Sequence, residues 1–67
     1  CNKKYMFYSG PVRVLCLVAL ESLPRILHEN MEYECKIHLD FPVYVSELPA
    51  FFFIRDQGRT LATGRFV

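Results

Sequence analysis

The sequence predicts an all-β domain, a small antiparallel β-barrel with Greek-key-like connectivity. Two observations predict this class: the apolar residues fall in short runs of extended or alternating pattern, and turn-forming residues separate those runs. A third is that only one stretch, residues 14–23, competes as a helix. Closing such a sheet removes exposed strand edges, which makes a barrel or sandwich the expected architecture.

The length and the net charge of the chain limit the functions that it can have. The 67 residues suffice for one domain, residues 1–67, and 52% of them are apolar. A domain this small buries only about 60% of the surface that its unfolded chain exposes. Its formal charge is +1, too small for binding nucleic acid through net charge, so any RNA contact must be local.

Cysteine usage favours a reducing compartment, the cytoplasm or an organelle matrix. Cys1, Cys16 and Cys35 are an odd number without a close pair. A small secreted domain is the alternative, and it requires Cys16 and Cys35 to be bonded. The apolar run 14–20 has about half the length of a membrane span, so no membrane contact is expected. The first residue is not Met, and we expect a piece of a longer chain.

The first half of the chain predicts two strands joined by a tight turn. An aromatic run, Tyr5 to Tyr8, is stopped by Ser9, Gly10 and Pro11. From Val12 to Leu20 apolar residues occupy both alternating faces, which indicates a strand buried on both sides.

The middle of the chain predicts two further strands. After Pro24 and a turn at 28–30, residues 33–40 alternate with period two, so one face is expected in the core and the other in water. Residues 43–45 resume an extended pattern before a connection at 47–49.

The last third predicts a hairpin. The runs Phe51 to Arg55 and Arg59 to Val67 are separated by a short loop, Asp56, Gln57 and Gly58. Consecutive strand residues face opposite sides. Either Phe51 and Phe53, or Phe52 alone, are therefore expected in the core, with the remainder docked on a neighbouring domain. Gly64 predicts a bulge or a close backbone approach.

The hairpin carries a resemblance to a known family. The stretch 53–64, FIRDQGRTLATG, resembles the closing hairpin of the third domain in the elongation factor Tu family of translation GTPases, with its Arg-Asp, short loop, Arg-Thr and following Gly. Residues 34–43, with Pro42 and Val43, are similar to the strand and bend before that hairpin, and residues 8–14 are more weakly similar to the start of the same domain. Where the family commonly has Gly or another small residue, this chain has Gln57.

The resemblance implies a six-stranded antiparallel barrel that packs beside another barrel and a GTPase domain, and that helps to hold tRNA. It implies a non-catalytic binding domain whose partners are tRNA or the ribosome and the GTPase domain of the same parent protein. The sequence has no phosphate loop ending in Gly-Lys-Ser/Thr, so no cofactor is expected in this chain, and GTP and Mg²⁺ would belong to the parent. The alternative is a structural subunit of a larger, ribosome-like assembly, identified by an exposed apolar face of Leu15, Leu17 and Phe52.

Six residues at the hairpin tip are the candidate contacts with RNA or a protein partner: Arg55, Asp56, Gln57, Gly58, Arg59 and Thr60. Two guanidinium groups beside one turn suit phosphate oxygens. Structural explanations compete: Arg55 pairing with Asp56 or Glu47, and Thr60 serving strand propensity alone.

A metal site is not expected. The possible zinc ligands lack a Cys-x-x-Cys pair. These ligands are Cys16, Cys35, His28 and His38. Cys16 and Cys35 are expected in the core, and His38 is expected in water.

Overall fold

The computed structural model describes residues 3–19, 21 and 23–66. Five strands form one antiparallel sheet: β1 (Tyr5–Ser9), β2 (Val12–Val18), β3 (Ile37–Leu39), β4 (Phe51–Asp56) and β5 (Arg59–Arg65). A 3₁₀ turn, Val45–Glu47, precedes β4. The prediction of an all-β fold is confirmed, with five strands described where the resemblance implied six.

The sheet order β3-β2-β1-β4-β5 is a Greek key. The first three strands follow one another in space as in sequence, and β4 returns after a long connection to lie beside β1. β3 and β5 are the end strands of the sheet. The predicted antiparallel, Greek-key connectivity is therefore confirmed.

The β1–β2 hairpin forms where the turn residues predicted it. Ser9 pairs with Val12, which leaves Gly10 and Pro11 as a two-residue loop. Gly10 has a φ of +54°, and proline fixes its own φ near −65°, the pattern of a type II′ turn. A Cβ at Gly10 would lie 2.9 Å from Cδ of Pro49, so glycine also lets the turn pack against the connection before β4.

The core lies on one face of the sheet. Phe7 is 1% exposed and pairs with Val14 on one side and Ile54 on the other. Cys16, fully buried, lies in the same cluster. Phe52 stacks on Phe7 with 5.2 Å between ring centroids, so the core crosses β2, β1 and β4.

The prediction that β2 is buried on both sides is wrong, although its strand conformation is confirmed over Val12–Val18. Val14 and Cys16 face the core, whereas Leu15 is 42% exposed and Leu17 is half-buried. The helix considered for residues 14–23 is excluded through Val18, and Leu20 and Ser22 lie outside the described residues.

The strand predicted for residues 33–40 forms only over Ile37–Leu39. Ile37 pairs with Val18, the last residue of β2, so the chain before Ile37 lies mostly beyond the end of its partner. One more backbone bond, from Ala19 N–H to Lys36 O, closes the pairing. Cys35 is exposed, and its predicted place in the core is wrong.

The extended pattern predicted for residues 43–45 ends in the 3₁₀ turn instead of a strand. The N–H groups of Glu47 and Leu48 donate to the carbonyls of Tyr44 and Val45. These local bonds use the backbone groups that a strand would offer to a neighbour.

In the described part of the chain there is no helix with the length and apolarity needed to cross a membrane.

Candidate functional site

The turn between β4 and β5 is a two-residue loop with an uncommon backbone. Asp56 pairs with Arg59, and both loop residues have positive φ, +51° at Gln57 and +74° at Gly58. Two positive φ values define a type I′ turn, whose twist matches that of the flanking strands. The predicted hairpin is confirmed, with the loop limited to Gln57 and Gly58.

Arg55 is held within the hairpin. Its Nη1 donates to Thr60 Oγ1 and its Nη2 donates to the Gly58 carbonyl, both at 2.8 Å. Its partners are therefore the loop itself and the facing strand, and differ from the expected Asp56 or Glu47. The same contact shows that Thr60 does more than serve strand propensity. Arg55 positions the turn, and two of its donors are already engaged.

Asp56 is bonded to the start of the described chain. Lys3 Nζ lies 2.7 Å from Asp56 Oδ2, with side chains that are 48% and 24% exposed. The hydrogen bond to Asp56, and then its negative charge, raise the pKa of Lys3. The carboxylate nearest to the turn is thus neutralised within the molecule.

The rest of the tip is open to solvent. Gln57, Gly58 and Arg59 are exposed, and within the described residues no hydrogen bond or ion pair is recorded for the Arg59 side chain. The structure therefore brings all six predicted residues to one end of the hairpin and divides them by role. Arg55, Asp56 and Thr60 have internal side-chain partners, and the Gly58 carbonyl accepts from Arg55, while the side chains of Gln57 and Arg59 face outward.

Gly64 meets the ring of its cross-strand partner. It pairs with Phe52, and a Cβ at Gly64 would lie 2.5 Å from Cζ of that ring. Of the two alternatives predicted for Gly64, a bulge or a close backbone approach, the structure has the close approach. The irregularity of the β4–β5 ladder lies instead between Ile54 and Arg55, which pair with Ala62 and Thr60 and leave Leu61 as the extra residue.

The outward face of the sheet carries a group of aromatic side chains, with Tyr8 of β1 beside two residues of β4. Phe52 is on the core side, which places Phe51 and Phe53 outside, 55% and 39% exposed. Tyr8 pairs with Phe53 across β1 and β4. The alternation in each strand was visible in the sequence, but the pairing of β1 with β4 was not. The assembly alternative predicted an exposed apolar face of Leu15, Leu17 and Phe52. Leu15 is exposed as predicted and Leu17 is half-buried, but the placement of Phe52 on that face is wrong, because Phe52 lies on the core side.

The four possible metal ligands do not meet. Cys16 is buried, and burial raises the pKa of its thiol, so the thiol stays protonated. Cys35, His28 and His38 are exposed, and the described residues contain no group of three side chains able to hold a metal. Cys16 and Cys35 are both free, so the bond required by the secreted-domain alternative is not formed.

Comparison of the chain with models of protein families, with curated proteins and with solved structures found no match. The likeness to the elongation factor Tu family therefore rests on the hairpin and strand motifs alone.

Proposed function

We propose that this chain is a non-catalytic binding domain of a translation-type GTPase, and that the exposed β4–β5 turn contacts structured RNA such as tRNA or ribosomal RNA. One observation carries the proposal: the guanidinium of Arg55 braces the turn from inside while that of Arg59 faces solvent. A fixed backbone beside an exposed cation suits a phosphate group, since ordering the loop costs little on binding.

Electrostatics at the tip support an anionic partner. Asp56 is paired with Lys3, so its charge opposes Arg59 less than an unpaired carboxylate would. Gly58 has no atom within 4 Å of the place where a Cβ would stand, so a partner can approach its backbone closely. In the parent protein the GTPase domain would supply GTP and Mg²⁺ chemistry, and this chain would supply a binding surface.

Replacing Arg59 with alanine tests the proposal. We expect Arg59→Ala to weaken tRNA binding and to lower the slope of log affinity against log salt by about one, because one phosphate contact is lost. Fluorescence anisotropy with labelled tRNA at several salt concentrations measures both quantities.

Arg25→Ala is the matched control. Arg25 is also an exposed arginine, but it lies in the connection between β2 and β3. If both variants weaken tRNA binding equally, the binding is unspecific attraction and the proposed contact fails. Binding by wild type that does not change with salt would also exclude it.

A second candidate function is a structural subunit of a larger assembly. It is favoured by large apolar side chains that stand in solvent along the connections, among them Ile26 and Phe41, each 71% exposed. These residues lie in the β2–β3 and β3–β4 connections, and large exposed apolar patches mark protein interfaces. Sedimentation of the chain at rising concentration tests this candidate.

A further inference from the structure

We infer that the outward face of the sheet binds unpaired bases of single-stranded RNA, through an aromatic platform of Tyr8, Phe51 and Phe53 flanked by Arg13 and Arg65. This site is separate from the β4–β5 turn, because none of the exposed turn residues belongs to it. It stands or falls independently of the proposed function.

Strand register places the platform residues side by side. Side chains directly opposite one another in paired strands share a face and lie about 5 Å apart at Cβ. Arg13 pairs with Tyr8, and Tyr8 pairs with Phe53. Phe51 follows two residues from Phe53 on the same face and pairs with Arg65. Strand register thus places three aromatic residues together on one face, with an arginine on each side.

The rings are accessible. Phe51 and Phe53 pack edge to face with 5.9 Å between centroids and keep about half of their surfaces in solvent. Phe52 packs against the core, whereas Phe51 and Phe53 contact each other outside it. Every nucleobase has a flat aromatic face, and stacking on such rings is how many proteins hold single strands.

Charge selects the occupant. The outward strand residues include Arg13, Arg55 and Arg65 and no Asp or Glu. Asp40, just beyond β3, lines the same groove as Arg13, but its carboxylate is paired with Lys4. A second copy of the chain would bring its own arginines against these, which is unfavourable. A polynucleotide strand supplies flat bases for the rings and phosphates for the two exposed cations, Arg13 and Arg65.

The platform is large enough for a short strand. Arg13 and Arg65 lie on β2 and β5, three strand spacings apart, or about 14 Å across the sheet. Sheets of other RNA-binding domains stack about two or three bases on such surfaces. In a duplex the bases are stacked on each other, so the platform requires unpaired nucleotides.

Leucine substitutions separate stacking from general apolar contact. We expect Phe53→Leu and Phe51→Leu each to weaken binding of a short single-stranded oligouridine between about fivefold and about a hundredfold, as loss of one stacked base predicts. Both residues are exposed, so the variants keep the core. Anisotropy with labelled oligouridine measures the affinity, and a duplex of the same length competes.

Tyr44→Leu is the control, since Tyr44 is an exposed aromatic residue outside the sheet. Unchanged binding by Tyr44→Leu together with weak duplex competition supports the inference. Equal binding of duplex and single strand, or leucine variants that bind like wild type, would overturn it, as would association of the protein with itself in place of RNA binding. Arg59→Ala should leave oligouridine binding unchanged, so each proposal fails by a different variant.

Discussion

Gln57 adopts the left-handed backbone conformation that most residues avoid. Its φ of +51° brings the Cβ close to the following carbonyl oxygen, at a cost of about 1–2 kcal/mol for an ordinary residue. Asparagine tolerates this conformation, and Asn-Gly is the preferred pair for a type I′ turn. The type I′ turn therefore forms although Gln57, its first loop residue, is unfavourable at positive φ.

Gln57→Asn should stabilise the domain by about 0.5–1 kcal/mol, because the substitution reduces backbone strain at a solvent-exposed position. Urea unfolding measures the change. Gln57→Ala is the control: it retains a Cβ and gains no tolerance for positive φ, so no stabilisation is expected. An equal gain from alanine would show that strain at residue 57 is not the cause.

The Lys3–Asp56 ion pair stabilises the folded protein over a definite pH range. Because the folded protein raises the pKa of Lys3, the stability from this pair is fully present below the ordinary lysine pKa, and it is lost as pH rises through the raised value. Lys3 is exposed, so solvent screening keeps the contribution small. The pair is intact at neutral pH, where RNA binding at the turn is to be measured.

At the scale of the element, the β4–β5 hairpin depends on the contact between Phe52 and Gly64. The Phe52 ring cannot move away easily, since it packs on Phe7 and on Phe66 with centroids 5.2 Å and 5.3 Å distant. A methyl group at Gly64 would overlap the ring. The glycine therefore fixes where the aromatic side chain can lie.

Gly64→Ala should destabilise the domain by about 1–3 kcal/mol through overpacking. In a double-mutant cycle, Phe52→Leu should remove part of this penalty, because a smaller side chain leaves room for the methyl group. Chemical denaturation of the four proteins gives the coupling free energy. Thr63→Ala, an exposed neighbour in β5, should change little. Strict additivity of the two substitutions would contradict the proposed contact.

Some elements were predictable because their determinants are local. Gly10 and Pro11 predict the first turn, and Gln57 and Gly58 lie in the second predicted loop. The length of β3 was not predictable, since it depends on where β2 ends. Likewise, Arg55 could be placed at the turn from its sequence position, but its bonds to Thr60 and Gly58 follow from the register that the extra residue in β5 creates.

At the scale of the whole molecule, the pairing of β1 with β4 joins distant parts of the chain. Ser9 Oγ donates to the carbonyl of Phe51, a hydrogen bond spanning 42 residues. No local pattern specifies this neighbourhood, so sequence reasoning found the strands without finding which of them share an outer face. That is why the turn could be located from sequence, whereas the neighbourhood of Tyr8 with Phe51 and Phe53 could not.

The exposed apolar side chains of the connections give the assembly candidate its test. If they form a protein interface, the wild-type chain should associate as its concentration rises, and Ile26→Ser or Phe41→Ser should shift the equilibrium toward monomer. Sedimentation equilibrium measures the shift. Leu61→Ser, which changes a residue 52% exposed on β5, is the control. A wild-type chain that stays monomeric, or a control as effective as the two variants, would remove this candidate.

The position of β5 at one end of the sheet has a consequence for colloidal behaviour. An outermost strand can recruit an identical strand from another molecule and begin a growing fibre. Leu61, the extra residue of β5, interrupts the regular alternation of this edge, and a β-bulge is one of the features by which natural sheets prevent such pairing. Arg59 and Arg65 add a positive charge near each end of the strand, so a second copy of β5 is repelled. The arginines at the ends of β5 thus discourage aggregation through the strand that is otherwise the most open to it.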